Sequence, residues 1–385
     1  MTRPGPLEGV TVIELSNMLM GPYATMMLAQ MGARVIKVEP PGGDIARGIA
    51  DATGHGLGPI YLNINRGKES IELDLADPGD RSTFHALVEA ADVVAHNRPP
   101  GSDVRLGVDY PTLSRMNPRI IVCAMYGFGA DGPYGSLGAY DDVMQGISGI
   151  AAHQTGDGPP QYVRTPLTDK ITGIVAVGAV NAALYERERS GVGQLVEVPM
   201  FETMVGFLLA EQQGGFIHNP PRGPAGYART NSPHRHPYAT ADGMISILAS
   251  TDAHWAALFR ILREPQLAED PRFASIRART ENIDELYAWL KDALARHPTR
   301  SLLEQLHEAR VPAMRVNTIE DLFVDPHLAQ TGFFEEVEHP VAGPLRQPAA
   351  PVRFSRSGSA SLDAAPSLDA DGQRLRQEFG RRETA

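Results

Sequence analysis

Asp169 is the residue whose setting most strongly suggests chemistry, because this carboxylate stands at the start of a long apolar segment. Thr165 and Pro166 precede it, and these residue types are typical of the cap and the first position of a helix. Free backbone N–H groups and the helix dipole favour an anion in the first turn, so we expect Asp169 to stay ionised and able to act as a nucleophile. A helix-capping acid is the alternative, and this segment taken by itself favours it.

The composition limits the classes of protein to which this chain can belong. The chain has 385 residues, enough for two or three domains, and its hydrophobic and charged fractions are those of a soluble globular protein. A net charge of −11 argues against general binding of nucleic acid, and Cys123 is the only cysteine, so no intrachain disulfide can form. The first residues lack a signal-peptide apolar block, and the most apolar run, residues 171–184, is too short and interrupted to span a membrane. We therefore expect a cytoplasmic protein with no nucleic-acid or membrane partner.

Strand and helix patterns alternate over residues 10–212. This rhythm predicts an α/β fold with a mostly parallel sheet covered by helices. The strand patterns cover residues 10–15, 34–39, 70–75, 92–96, 119–124 and 194–199, and the helical patterns cover residues 22–30, 79–90, 109–116 and 200–212. The turn after the first strand lacks Gly-x-Gly-x-x-Gly, and no Walker motif occurs, which argues against a dinucleotide cofactor.

A Gly- and Pro-rich connection, residues 214–237, interrupts this rhythm, and connections of such length are often functional. One strand pattern (243–248) and three amphipathic helical patterns (252–262, 282–296 and 300–309) follow it. Residues 311–316 and the Pro- and Gly-rich run 340–365 then suggest a return to the first domain, with a final surface helix in the last residues. We therefore predict a large domain from residues 1–215 and 311–385, and a linker with a small α/β domain at 216–310.

An ordered set of motifs resembles the family III CoA-transferases, also called the carnitine dehydratase / bile-acid-inducible family. The motifs are LEGVTVIEL (7–15), GP (21–22), GARVIKVEP (32–40), LNINRGK (62–68), SIELD (70–74), DVVAHN (92–97), PG (100–101), RLG (105–107), GFG (127–129), DGP (131–133), AYDDV (139–143), Asp169, GVGQ (191–194) and PYATADG (237–243). Each motif is weak by itself, and their order and spacing carry the resemblance. It implies a Rossmann-like large domain formed by both chain ends, a small inserted domain and an interlocked homodimer.

The resemblance also implies a mechanism, because Asp169 occupies the family's nucleophile position. The carboxylate attacks the acyl-CoA thioester to give an aspartyl anhydride, and CoA thiolate then forms an aspartyl-CoA thioester from which an acceptor acid receives CoA. Both intermediates hydrolyse readily, so a closed site is expected. The substrates are acyl-CoA and a small organic acid, and no metal, nicotinamide or flavin cofactor is implied.

Tyr140 decides between two activities of the family. Racemases acting on α-methylacyl-CoA carry a His at this position, which with the Asp exchanges the α-proton, whereas the transferases carry Tyr. A neutral tyrosine is a poor base near pH 7, so CoA transfer is favoured. His153 is the candidate substitute that keeps the racemase alternative open. A CoA-binding protein without turnover is a third alternative, which the retention of Asp169 disfavours.

The CoA contacts implied by the resemblance fall at a set of positions spread over the large domain. They are Leu19, Met20, Leu73, Asp74, Leu75, Ala76, Asn97, Arg98, Pro99, Arg105, Leu137, Gly138, Ala139 and Tyr140. Arg66 and Lys68 are further candidate phosphate partners on grounds of charge. Some formyl-CoA transferases carry Gln at the Leu19 position, so this departure argues against formyl or oxalyl substrates.

The sequence gives less information about the acceptor acid than about CoA. Arg235, in the segment 229–238, could bind a second carboxylate as a bidentate fork. Arg164, close to Asp169, is another candidate partner for a carboxylate, and a structural ion pair is the equally good alternative for it. These arginines favour a dicarboxylate acceptor, with succinyl-CoA a common donor in similar enzymes. We interpret His234 and His236 as part of a polar loop rather than as metal ligands.

Overall fold

A computed structural model describes residues 4–358 and 362–379 and divides the chain into two compact units. The first unit combines the chain up to Thr155 with Pro159–Phe207 and the segment from Ala329 onward. The second unit consists of Leu208–Leu328 with the short piece Gly156–Gly158. Residues 208–215 and 311–328 thus group with the second unit, whereas the sequence assigns them to the large domain, and the domain boundaries stay a prediction.

A six-stranded, fully parallel sheet forms the centre of the first unit, as the alternating patterns predict. Its strands are β1 (Thr11–Glu14), β2 (Arg34–Glu39), β3 (Lys68–Glu72), β4 (Val93–His96), β5 (Ile121–Tyr126) and β6 (Leu195–Pro199). Their spatial order is β3-β2-β1-β4-β5-β6, and every pairing is parallel. This is the order of a doubly wound sheet, in which the direction of winding reverses between β1 and β4.

Two hydrophobic cores lie on opposite faces of this sheet. Val12 and Val93 belong to one core, whereas their neighbours Ile13 and Val94 belong to the other. Successive side chains of a strand point to opposite faces, so strands covered on both sides read as continuous apolar runs. Nine helices accompany this part of the described chain: α1 (Met20–Gln30), α2 (Pro59–Ile64), α3 (Pro78–Ala90), α4 (Ser102–Leu106), α5 (Tyr110–Met116), α6 (Asp141–Ile147), α7 (Ile150–His153), α8 (Leu167–Ser190) and α9 (Met200–Gln212).

Helix α8 packs closely against α1 through Gly173. A Cβ atom at this position would lie 2.8 Å from the carbonyl oxygen of Met20, so only glycine allows the two backbones to approach this far. By length and composition α8 could also cross a membrane, but its inner residues, including Val177 and Val180, belong to the core of the first unit. A core helix has the same composition, so this property is weak evidence for a membrane span.

The second unit contains a small antiparallel sheet packed with helices. Its elements are α10 (Ala228–Asn231), β7 (Tyr238–Ala239), β8 (Met244–Ile247), α11 (Asp252–Ile261), α12 (Ile276–Glu281), α13 (Ile283–Leu294), α14 (Thr299–Glu308), β9 (Ala313–Arg315) and α15 (Ile319–Leu322). The sheet order is β7-β8-β9. The sequence assigns residues 311–316 to the first domain, but β9 hydrogen-bonds to β8 and therefore belongs to the small sheet.

The C-terminal segment returns to the first unit. It contains α16 (Pro326–Thr331), the antiparallel hairpin of β10 (Phe334–His339) and β11 (Gly343–Pro348), and α17 (Gly372–Phe379). The carboxylates of Asp369 and Asp371 accept hydrogen bonds from the backbone N–H groups of Glu72 and Ser70, at 2.9 and 3.0 Å. The return thus covers the exposed edge of β3, which would otherwise present unpaired donors.

A network of buried charges lies beneath the first three strands. Glu14 is fully buried, and its two carboxylate oxygens lie 3.1 Å from Lys37 Nζ and 2.8 Å from Lys68 Nζ. Burial by itself would raise the pKa of Glu14, but the two ammonium groups lower it to about 2. Lys37 also lies 2.9 Å from Asp44 Oδ2, so the network extends into the segment after β2.

Replacing Glu14 with Gln removes one of the carboxylates that compensate the buried ammonium groups and leaves Lys68 without its ion-pair partner. We expect the free energy of unfolding of the first unit to fall by ~3 kcal/mol or more, as measured by urea denaturation. Glu188→Gln is the control, because Glu188 pairs with Arg119 on the surface and should cost less than about 1 kcal/mol. Equal losses in the two variants would contradict a stabilising role for the network.

Candidate active site

A cavity of about 290 Å³ lies in the first unit beside the reversal point of the sheet. Its walls come from the segments that follow β1, β4 and β5, together with residues 135–140 and the first turn of α8. Open parallel sheets bind their ligands at the carboxyl ends of the strands, next to the reversal of strand order. The position of the cavity is therefore that of a ligand site.

Asp169 is the acid in this cavity. It lies in the first turn of α8, is partly buried and forms part of the cavity wall. Its carboxylate accepts no hydrogen bond from any residue of the described ranges, so both oxygens are available to a ligand. The backbone N–H of Asp169, in contrast, donates a hydrogen bond to the carboxylate of Asp141.

Asp141, on α6, caps the N-terminus of α8. Its Oδ1 accepts hydrogen bonds from the backbone N–H groups of Thr168 and Asp169, at 2.7 and 3.1 Å, and from the Thr168 hydroxyl at 2.7 Å. The predicted cap at Thr165 is wrong, because α8 begins at Leu167, with Pro166 at the cap position and no local side-chain cap. Thr165 instead accepts a hydrogen bond from Lys170.

This cap changes the proton affinity of Asp169. Burial, and next the negative charge of Asp141, raise the pKa of Asp169 from its usual range to about 7. The helix N-terminus therefore does not keep the pKa of Asp169 low, as the sequence led us to expect, and only part of the carboxyl is ionised near neutral pH. Burial is the main physical reason, and Asp141, which accepts the N–H groups of Thr168 and Asp169, adds a neighbouring negative charge. Above pH 7 the ionised carboxylate predominates and can act as a nucleophile.

The segment after β1 is held in place by the buried charges. Met18 has a φ of 63°, which is uncommon for a residue with a side chain, and its N–H donates to Asp44 Oδ1 at 3.0 Å. Lys37 Nζ donates to the Ser16 carbonyl at 2.9 Å. The Asn97 amide donates to the Asn17 carbonyl at 3.0 Å, which ties this segment to the one that follows β4.

Most of the predicted CoA contacts meet at two neighbouring cavities. Those at the cavity of Asp169 are Leu19, Met20, Asn97, Arg98, Pro99, Leu137, Gly138, Ala139 and Tyr140. Those at a second cavity, of about 200 Å³, are Leu73, Asp74, Leu75, Ala76 and again Arg98. Arg105 is exposed on α4 and belongs to neither lining.

Arg98 is the cation shared by the two cavities. It is partly buried, forms no ion pair within the described ranges, and its Nε has no hydrogen-bond partner there. Burial lowers the pKa of its guanidinium group, as expected for a cation without a counter-charge. Arg98 is therefore well suited to bind a phosphate group. The other candidates lie elsewhere, since Lys68 belongs to the buried network and Arg66 lines a different cavity.

Of the remaining candidate residues, Tyr140 lies at this cavity, whereas His153, Arg164 and Arg235 do not. Tyr140 is part of its wall and is 76% exposed at the start of α6. His153 is exposed at the end of α7, and no histidine is among the described residues that line the cavity. Arg164 is exposed and outside the lining, whereas Arg235 lines a cavity of about 330 Å³ in the second unit with Arg229 and Tyr238.

Asp141 and Asp44 hold the site in place, and the sequence predicts neither of them in that role. Asp141 directly follows Tyr140, so an acid beside a predicted contact was the available signal. Nothing local indicates its partner, because Asp141 and Thr168 are 27 positions apart. The same holds for Asp44 and Met18, whose contact spans 26 positions.

The chain belongs to CoA-transferase family III, whose sequence model matches residues 7–372. The protein is accordingly an acyl-CoA:carboxylate CoA-transferase.

Relatives and a solved structure agree with this assignment. Acetyl-CoA:oxalate CoA-transferase of Acetobacter aceti is 37% identical over 97% of this chain and 96% of its own. Succinate–glutarate CoA-transferase of Agrobacterium fabrum is 34% identical over 92% of each chain. A crystal structure of a CAIB/BAIF family protein from Brucella suis is 32% identical and matches with a TM-score of 0.82, covering 98% of this chain and 100% of that one. The resemblance drawn from the motifs and the α/β fold are thus confirmed.

The pH dependence of transfer should report the contact between Asp141 and Asp169. For the wild-type enzyme we expect kcat/KM for the acyl-CoA to rise with pH, with a midpoint near 7, because the protonated acid is not a nucleophile. Asp141→Asn removes the neighbouring charge and should move the midpoint to lower pH. Asp142→Asn, at the exposed acid one residue further on, is the control and should leave it in place. An unshifted midpoint in Asp141→Asn would show that Asp141 does not set the pKa of Asp169.

Proposed function

We propose that this protein moves CoA from an acyl-CoA donor to a small dicarboxylic acid, with Asp169 as the covalent nucleophile. The observation that supports this most directly is the free, partly buried Asp169 carboxylate in the cavity where the candidate CoA contacts meet. Its raised pKa makes the ionised form unusually basic for a carboxylate, which suits a nucleophile working near neutral pH.

The proposed reaction proceeds in four balanced steps. An Asp169 oxygen attacks the thioester carbonyl, the C–S bond breaks, and CoA thiolate leaves an aspartyl–acyl anhydride. The thiolate attacks the aspartyl carbonyl and releases the donor acid, leaving an aspartyl-CoA thioester. The acceptor carboxylate attacks that carbonyl and expels the thiolate to give a second anhydride. The thiolate then attacks the acceptor's acyl carbon, which yields the new acyl-CoA and restores the Asp169 carboxylate. No step needs a metal, nicotinamide or flavin.

Arg98 is the proposed partner for a phosphate group of CoA. It is an unpaired cation between the cavity of Asp169 and the cavity of Leu73 and Ala76, so CoA could extend from one to the other with Arg98 at the junction. Asp74 and Arg105 are exposed, so they would contact CoA at the outer part of its site. Leu19 and Met20 would supply apolar contact next to the thioester.

The proposed acceptor is a dicarboxylate longer than oxalate, with succinyl-CoA as the donor. Both relatives named above support a dicarboxylate, because their names pair CoA transfer with oxalate or glutarate, and the succinate–glutarate enzyme also supports the longer acid and the succinyl donor. Leu19 has no polar group for a compact acid such as oxalate, which favours the longer acid. Arg235 and Arg164 remain candidates for the distal carboxylate.

We further propose that the enzyme is an interlocked homodimer in the cytoplasm. One face of α8 supports a second copy, because the apolar side chains of Ile174, Val175 and Tyr185 are 53%, 45% and 69% exposed. A helix that is apolar on both faces is normally covered on both.

Mass spectrometry with a panel of acyl-CoAs and free acids in deuterated water tests the activity. We expect succinyl-CoA with glutarate to give glutaryl-CoA, and Asp169→Ala to abolish this product while CoA still binds. Asp142→Ala is the matched control and should transfer normally. Deuterium at the α-carbon without a new acyl-CoA would identify a racemase, and product formation only from oxalate would overturn the proposed acceptor. Turnover by Asp169→Ala would overturn the mechanism.

Subunit exchange tests the interlocked dimer. Two differently tagged preparations, each dimeric by light scattering, should form no mixed dimer on long incubation, because interlocked chains separate only by unfolding. Mixed dimers should appear after joint denaturation and refolding. Free exchange under native conditions would contradict interlocking, and a monomeric mass would contradict the dimer.

A further inference from the structure

A second cavity in the first unit, separate from the one that holds Asp169, has the features of a ligand site. Its volume is about 250 Å³, and its lining comes from α1, from Arg66 and from the segments that flank the β10–β11 hairpin. It shares no lining residue with the cavity of Asp169. We propose that it binds a small amphipathic carboxylate, with the carboxylate on Arg66 and the apolar chain along α1.

Arg66 is a buried cation that forms no ion pair within the described ranges. Its side chain is 2% exposed, and no carboxylate of the described ranges lies within ion-pair distance. Its Nε donates to the Asn63 carbonyl at 3.0 Å, and its Nη2 has only the weak acceptor Met26 Sδ, at 3.8 Å. Burial lowers the pKa of this guanidinium group. Removing a cation from water without a partner is costly, and an anion bound in the cavity would offset that cost.

Two further polar groups line the same cavity without a protein partner. Within the described ranges, the Tyr23 hydroxyl and the Gln30 side-chain amide form no hydrogen bond. Together with the guanidinium group of Arg66 they give the lining three kinds of donor. A set of donors with one full positive charge suits a carboxylate.

The rest of the lining suits an apolar chain. Met27, Met31, Phe333 and Phe354 contribute flexible or flat apolar surface, and methionine adapts its shape to a ligand. An apolar cavity of about 150 Å³ accepts benzene, so this larger one has room for a short alkyl chain. A ligand with a carboxylate at one end and an alkyl chain at the other matches the lining, whereas free phosphate or a nucleotide would leave the apolar walls unfilled.

Glu335 is the internal competitor for Arg66. Its charge acts on the guanidinium group, yet the two groups form no ion pair. It would repel a bound carboxylate, so replacing it should favour the ligand.

Calorimetric titration of hexanoate into the purified full-length protein tests the proposal. Wild type should bind one hexanoate per chain, and Asp169→Ala should bind it equally well, so the outcome is independent of the proposed transfer mechanism. Arg66→Met keeps the size of the side chain and removes its charge, and it should weaken binding by about tenfold or more. Glu335→Gln should strengthen binding.

Met27→Trp keeps Arg66 and fills the apolar part of the cavity, so it should also abolish binding, and it serves if Arg66→Met fails to fold. The proposal would be overturned by absent hexanoate binding, by equal affinity in Arg66→Met or Met27→Trp, or by weaker binding in Glu335→Gln. A crystal structure with a side chain of a second copy on Arg66 would also overturn it.

Discussion

The N-terminal turn of α8 is held by a carboxylate from another helix, and the candidate site depends on this contact. Asp141 accepts the N–H groups of Thr168 and Asp169, which fixes where the helix begins and how Asp169 faces the cavity. The same contact places a second negative charge beside Asp169, which adds to the effect of burial in raising the pKa of its carboxyl group. One interaction therefore contributes both to the helix cap and to the basicity of Asp169.

Buried charges give this arrangement a rigid base. Glu14, Lys37 and Asp44 lie out of contact with water, where unpaired ions would be costly and paired ions hold a defined geometry. Asp44 connects these charges to the site, because it accepts a hydrogen bond from Met18, which has an uncommon backbone conformation and lies at the cavity. The segment that is proposed to contact CoA is thus held by the sheet itself rather than by the ligand. Such prior ordering lowers the entropic cost of binding.

Helix α8 connects the main features of the first unit. Its first turn carries Asp169, its inner face packs on α1 at Gly173, and its outer face exposes Ile174 and Tyr185. A second copy bound to the outer face would lie along the same helix as Asp169. Helix α1 in turn separates two cavities, one with Asp169 and one with Arg66. The family assignment accounts for the first cavity as a candidate CoA site. The second cavity is not part of that assignment, and its buried arginine and apolar lining lead to the binding test described above.

The sequence by itself determined the order of strands and helices, the parallel sheet, the family and Asp169 as the central acid. These follow from periodicity, from continuous apolar runs and from motifs, all of which are local signals. The tertiary structure decided which groups meet. It placed Lys68 in the core instead of at a phosphate, paired β9 with β8 and gave the α8 cap to Asp141 instead of Thr165. Within the described ranges it also left Arg98 and Arg66 without an ion pair. Such partners are 26 to 70 positions apart, as for Asp44 with Met18 and β9 with β8. A local sequence pattern therefore cannot indicate them, and packing alone selects them.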